Sequence, residues 1–95
     1  MENKLKTDPI TEKTTAFSDE ANLFIDTFES ADDQKLLRDV ASLRRQMFLA
    51  KGVNESVQAV QKKWEQLCDS KIKRASSRIV GATIYIVGLG DQLLS

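Results

Sequence analysis

Ser76-Ser77-Arg78-Ile79-Val80-Gly81-Ala82-Thr83-Ile84-Tyr85-Ile86-Val87-Gly88-Leu89-Gly90 is the stretch on which the fold turns. From Ile79 to Gly90 it carries no charge, and it follows directly on the basic run Lys71-Ile72-Lys73-Arg74-Ala75. It is much shorter than the ~20 residues a helix needs to cross a bilayer, so its cover has to be protein. The span Ile79 to Val87 is β-branched enough for a strand. A strand needs something to pair with, and no second segment of the chain offers it. Ile79, Ala82, Ile86, Leu89 and Leu93 also keep the three-and-four spacing of a helix face. The helical reading is favoured, with Gly88-Leu89-Gly90 expected to end or kink the helix and residues 91–95 left as a tail.

Upstream, Val57, Val60, Trp64 and Leu67 form the seam of another helix. After Leu67 the apolar row shifts by one residue to Cys68, Ile72, Ala75 and Ile79, while Lys71, Arg74 and Arg78 take the old seam. The four-four step through Trp64, Cys68 and Ile72 is a stutter, which unwinds a coiled-coil seam locally. Before it, Lys51-Gly52-Val53-Asn54 punctuates the chain, with Gly52 suited to closing one helix and Asn54 to capping the next. So short a link demands an antiparallel hairpin. Its first arm carries Leu36, Val40, Leu43, Met47 and Ala50 and starts at Ser30, where Asp33 completes a variant capping box. The arms, Ala31 to Lys51 and Glu55 to about Ser77, match in length. A straight second arm would therefore carry Ile79 past the end of the first. Either the chain bends at Ser76-Ser77, one of these serines capping a returning helix, or the apolar segment protrudes into a second copy.

A further helix is expected from Ser18 to about Glu29, with Ala21, Phe24, Ile25 and Phe28 on one stripe. Residues 1–16 lack periodicity and are polar, and ordering them costs ~1–2 kcal/mol per residue with little burial in return. They are expected to form a disordered arm, leaving 17–95 as one helical domain. The fold class is all-α: an antiparallel hairpin or small bundle, expected to dimerise, since so short a chain buries a lower fraction of its surface than a larger domain does.

Composition excludes more chemistry than it suggests. The chain has no histidine and one cysteine, Cys68, which removes the usual proton shuttle, the commonest metal ligand and any intrachain disulfide. No catalytic residue, metal site or cofactor is expected. Asp19-Glu20 and Asp32-Asp33 sit at helix starts, where capping accounts for them, and adjacent acids do not face each other on a helix. No export signal is legible at the N-terminus, and a cytoplasmic location is expected. Charges balance overall, 14 against 14. Residues 1–33 nevertheless hold three bases against nine acids, and residues 34–78 eleven bases against four acids. That asymmetry implies internal pairing or two separate surfaces.

Three functional classes remain. The first is a non-enzymatic regulator or adaptor that masks a partner protein, as antiactivators, immunity proteins and small secretion chaperones do. Trp64, Ile79, Ile86, Leu89 and Leu93 would supply its apolar contact, and Lys71, Arg74 and Arg78 would steer an acidic partner. The second is a dimeric nucleic-acid binder using Lys62, Lys63, Lys71, Lys73, Arg74 and Arg78 as a phosphate-tracking stripe. A helix-turn-helix across Gly52 does not fit, since Phe48, Lys51, Gln58 and Gln61 occupy positions the motif reserves for small or apolar residues. The third is a self-assembling structural subunit packed through the apolar C-terminal segment.

Overall fold

The computed structural model describes residues 9–50 and 54–94, the side chains of 54–56 excepted. It contains α1 (Pro9–Ile25), α2 (Ala31–Leu49), α3 (Asn54–Leu67), a π-helical turn (Cys68–Ile72) and α4 (Ser77–Leu93), with no strand among the described residues. The all-helical reading holds, and the contested C-terminal segment is a helix.

α4 turns back to close the bundle. Ser76 has extended backbone and its hydroxyl accepts the Ile79 amide at 3.3 Å, capping the new helix. Contacts along the chain fix the directions. Arg44 of α2 reaches Asp91 of α4, while Leu36 near the start of α2 lies beside Ile79, so α2 and α4 run parallel. Leu43 and Met47 line one cleft with Trp64, and Asp39 lines another with Ser70, so α3 runs antiparallel to α2. α1 is antiparallel to both α2 and α4: Arg38 meets Asp26, Arg45 meets Ser18, and Phe24 meets Tyr85.

The core is the three-helix contact of α1, α2 and α4. Phe17, Ala21 and Ile25 from α1, Leu37 and Val40 from α2, and Ile86 from α4 are fully buried, with Phe28, Ala41, Ile79, Ala82 and Leu89 nearly so. An aromatic ladder pins α1 to α4. The Arg78 guanidinium lies 4.5 Å from the Phe28 ring centre, Phe28 meets Phe24 edge-on at 5.5 Å, and Phe24 meets Tyr85 at 4.5 Å. Bonds from Arg38 to Asn22 and Asp26, Arg45 to Ser18, and Arg44 to Asp91 staple α2 to both neighbours.

Several boundaries differ from those expected. α1 begins at Pro9, ahead of Ser18, so residues 9–16 of the expected arm are helical and the boundary at 16/17 falls inside α1; residues 1–8 lie outside the described residues. Proline suits a first helical position because its missing N–H has no intrahelical partner there anyway. Phe17, fully buried one turn ahead of Ala21, ties this early part of the helix to the core. α1 also stops at Ile25, where the Thr27 hydroxyl donates to the Phe24 carbonyl at 2.7 Å. Ser30 caps α2 by accepting the Asp33 amide, as its capping pattern predicts. The closure expected at Gly52 falls outside the described residues.

The stutter is a π-helical turn. Lys73 donates to the carbonyl of Cys68, five residues back, at 2.9 Å. One extra residue in the turn rotates Ile72 into the core and leaves Lys71 exposed on the old seam. The helix then ends at Ile72, short of the expected Ser77.

The glycines do not end α4, which continues to Leu93 with Leu94 buried beyond it. Gly90 instead admits α2: a Cβ there would meet Arg44 Nε at 2.6 Å and Cγ at 2.8 Å. Asp91, expected in a tail, anchors that arginine at 2.8 Å.

Two outcomes follow for stability, both measurable by urea unfolding at low micromolar concentration. Ile86→Ala should cost about 2–5 kcal/mol through the cavity it leaves, while Ile84→Ala on the exposed face should change stability by no more than about 0.5 kcal/mol. Gly81→Ala and Gly88→Ala, whose added methyl meets nothing within 4 Å, should each stabilise α4 by about 0.5–1 kcal/mol. Gly90→Ala should lose that gain by displacing Arg44.

Candidate functional site

The core consumes most of the apolar residues expected to meet a partner. Ile79, Ile86 and Leu89 are 3%, 0% and 8% exposed, packed inside the chain's own bundle, and Leu93 is half-buried against it. Because α4 folds back, Ile79, Ile86 and Leu89 have little surface left to offer while the fold is intact. Their placement corrects the expectation that this row is a binding face. Trp64 is different. It is half-buried on α3, at the edge of the core.

α3 is the least embedded helix. Of its described side chains only Val60 is buried, and its packing neighbours are α2 and the π turn. Its peripheral position opens an apolar cleft of about 140 Å³ between α2, α3 and α4, lined by Leu43, Met47, Trp64, Val87 and the side chain of Arg44. Nearby, Phe48 is half-buried and Leu49 is exposed, so the far end of α2 also presents apolar surface to solvent. Trp64 is thus the member of the expected contact set that lines this apolar cleft.

The basic residues do not share one helix face. Lys62 and Lys63 belong to α3, Lys71 to the π turn, Lys73 and Arg74 to the following reversal, and Arg78 to the first turn of α4. All six are exposed. A single stripe following a phosphate backbone would need a continuous helix from Lys62 to Arg78, which the reversal before Ser76 interrupts. Lys71 instead lines a groove of about 460 Å³ with Asp32, Asp33, Lys35 and Asp39. The acidic and basic parts of the chain therefore meet in this groove. Arg78 lies over Phe28, which anchors it in the fold.

Exposed apolar side chains also lie outside the residues expected to bind. Leu23 is 70% exposed, Ile84 66% and Tyr85 48%. Ile84 and Tyr85 fall between the positions of the buried row, and that displacement from the three-and-four spacing is the sequence signal for an outward face. Leu23 adjoins Phe24 on α1 and carried no comparable signal.

Among the described residues, no group of acidic or thiol side chains is arranged to hold a metal ion. No described helix is long and apolar enough to cross a membrane. Every buried polar side-chain atom among the described residues has a hydrogen-bond partner, so the core holds no orphaned group that would betray a missing ligand. Compared with protein-family models, curated proteins and solved structures, the chain matches none.

Cys68 is half-buried at the start of the π turn. Partial burial pushes its thiol pKa up, and the neighbouring Asp69 carboxylate adds to the shift. Lys71, one turn away, does not reverse this. Less thiolate is present near neutral pH than in an unhindered thiol. Iodoacetamide should therefore modify Cys68 more slowly in the folded chain at pH 8 than in urea, by about threefold or more. The sign for stability follows: folding favours the protonated thiol, so its contribution is intact below the unfolded thiol's pKa and is lost as pH rises through the folded value.

Proposed function

We propose that this protein is a non-enzymatic regulator or adaptor that masks a partner protein, with the Trp64 cleft as its anchor point. The observation carrying this reading is the cleft itself: an indole beside Leu43, Met47 and Val87, open to solvent and framed by Arg44. A concave apolar site with an aromatic wall and a cation at its edge has the composition of an interaction hot spot. An apolar side chain of the partner enters beside Trp64, and α3, held mainly by α2, adjusts to it. The exposed cations Lys71, Arg74 and Arg78 lie on the π turn, the reversal and the first turn of α4. They steer an acidic partner surface and contribute more to association rate than to residence time. A cytoplasmic setting goes with this reading.

Trp64 is the only tryptophan, so its emission reports the cleft directly. The test begins with cross-linked capture on the full chain and mass-spectrometric identification, followed by fluorescence titration with the purified partner. Trp64→Ala should weaken binding by about 30-fold or more, equivalent to the 2 kcal/mol that marks a hot spot, and Trp64→Phe should restore part of it. Circular dichroism checks that both variants are helical. Equal affinity for the wild type and Trp64→Ala would end this proposal. So would finding that the retained molecule is duplex nucleic acid, bound at low salt and lost steeply between about 50 and 200 mM.

A further inference from the structure

The outer face of α4 is apolar, open above both of its glycines and symmetric in sequence about its own midpoint; on its α1 side Tyr85 also meets Phe24. Gly81, Ile84, Tyr85 and Gly88 recur at three-and-four spacing on the side opposite Ile79, Ala82, Ile86 and Leu89, and all four are exposed. A side chain added at Gly81 or Gly88 would find nothing within 4 Å. The space above both glycines is therefore open to another backbone, and Gly is the residue that permits the closest approach.

The midpoint of this face falls between Ile84 and Tyr85. Equally distant from it are Gly81 and Gly88, Arg78 and Asp91, and Ser77 and Gln92. When such a helix meets a copy of itself antiparallel, each glycine lies level with the other glycine, and Ile84 lies level with Tyr85 of the second copy. Arg78 of each copy is level with Asp91 of the other, at both ends of about 20 Å of helix at ~1.5 Å per residue. A parallel pair would instead bring Arg78 level with Arg78 and Asp91 level with Asp91. Charge thus favours the antiparallel direction, with Arg78 and Asp91 flanking the face on its α1 and α2 sides and meeting only across the seam. Asp91 is presented at the surface, 71% exposed while bonded to Arg44, and Arg78 is held by the Phe28 ring.

We propose that a second copy of this chain docks on the outer face of α4, the two helices antiparallel and centred between Ile84 and Tyr85, giving a closed two-fold dimer. Such an interface is isologous and leaves no open end for further growth. It uses none of the residues of the Trp64 cleft. An interface made by one helix from each copy belongs among weak, concentration-dependent associations.

Sedimentation equilibrium of the full chain should show apparent mass rising from monomer towards dimer, and no further, between about 1 µM and about 1 mM. Ile84→Glu, on a side chain the core does not need, should weaken dimerisation by about tenfold or more while leaving the urea midpoint at low concentration unchanged. Register is tested in a Cys68→Ser background. A mixture of Gly81→Cys and Gly88→Cys chains should oxidise to mixed disulfide dimers faster than either chain alone. A protein that stays monomeric throughout, species larger than a dimer that grow with concentration, or cross-linking fastest in the Gly81→Cys chain alone would overturn the proposal.

Discussion

Ile79, Ala82, Ile86 and Leu89 leave water only because the chain reverses between Lys73 and Ser77; a straight continuation of α3 would carry them past the start of α2. The reversal depends on two local devices. The π bond from Lys73 to Cys68 takes up one extra residue and brings Ile72 to the core. The Ser76 hydroxyl then satisfies an orphan amide at the start of α4. Without the return of α4, α1 and α2 would have no third layer, and Phe17, Ile25 and Val40 would lose much of their cover. The apolar segment is thus the closing wall of the bundle.

α2 is the helix on which the others are assembled. It meets α1 and α4 through Leu37, Val40 and Ala41, and α3 through Leu43 and Met47. A helix contacted on several sides cannot show a single narrow stripe. This explains why the row Leu36, Val40, Leu43, Met47 and Ala50 captures the hairpin face yet omits Leu37 and Ala41. Its arginines serve the same purpose. Arg38, Arg44 and Arg45 run between helices, so part of the basic surplus in residues 34–78 is structural.

The helical class, the caps at Ser30 and Ser76 and the irregularity after Leu67 were legible because each depends on local sequence: a hydroxyl three residues before an amide, or a one-residue phase shift. The start of α1 was not. Residues 9–16 look too polar to order by themselves, and only Phe17, buried by distant parts of the chain, repays the cost. Gly90 was misread for a related reason. Glycine signals backbone freedom locally, but here it makes room for Arg44, a residue far away in sequence. Of the candidate contact set, Trp64 was legible from its bulk on an amphipathic seam. Ile79, Ile86 and Leu89 were identified as a face, but periodicity does not say whether a face is covered by the same chain or by another.

The distinction between covered and uncovered faces can be carried one step further. A helix in a three-layer bundle has an inner row and an outer row, and solubility ordinarily makes the outer row polar. In α4 the inner row is complete, yet the outer positions between Arg78 and Asp91 carry Gly81, Ile84, Tyr85 and Gly88, with no charge. Folding alone does not require this: a charged residue at 84 would leave the inner packing intact, and glycine in a helix interior costs about 1 kcal/mol relative to alanine. Such a face lowers the stability of the isolated chain and adds apolar surface to solvent. Both costs are offset when a second helix is admitted close enough to cover it. The cleft beside Trp64 differs in shape, being concave and walled by three helices. The two proposed surfaces thus differ in kind, the cleft shaped for a projecting side chain and the α4 face for a helix like its own.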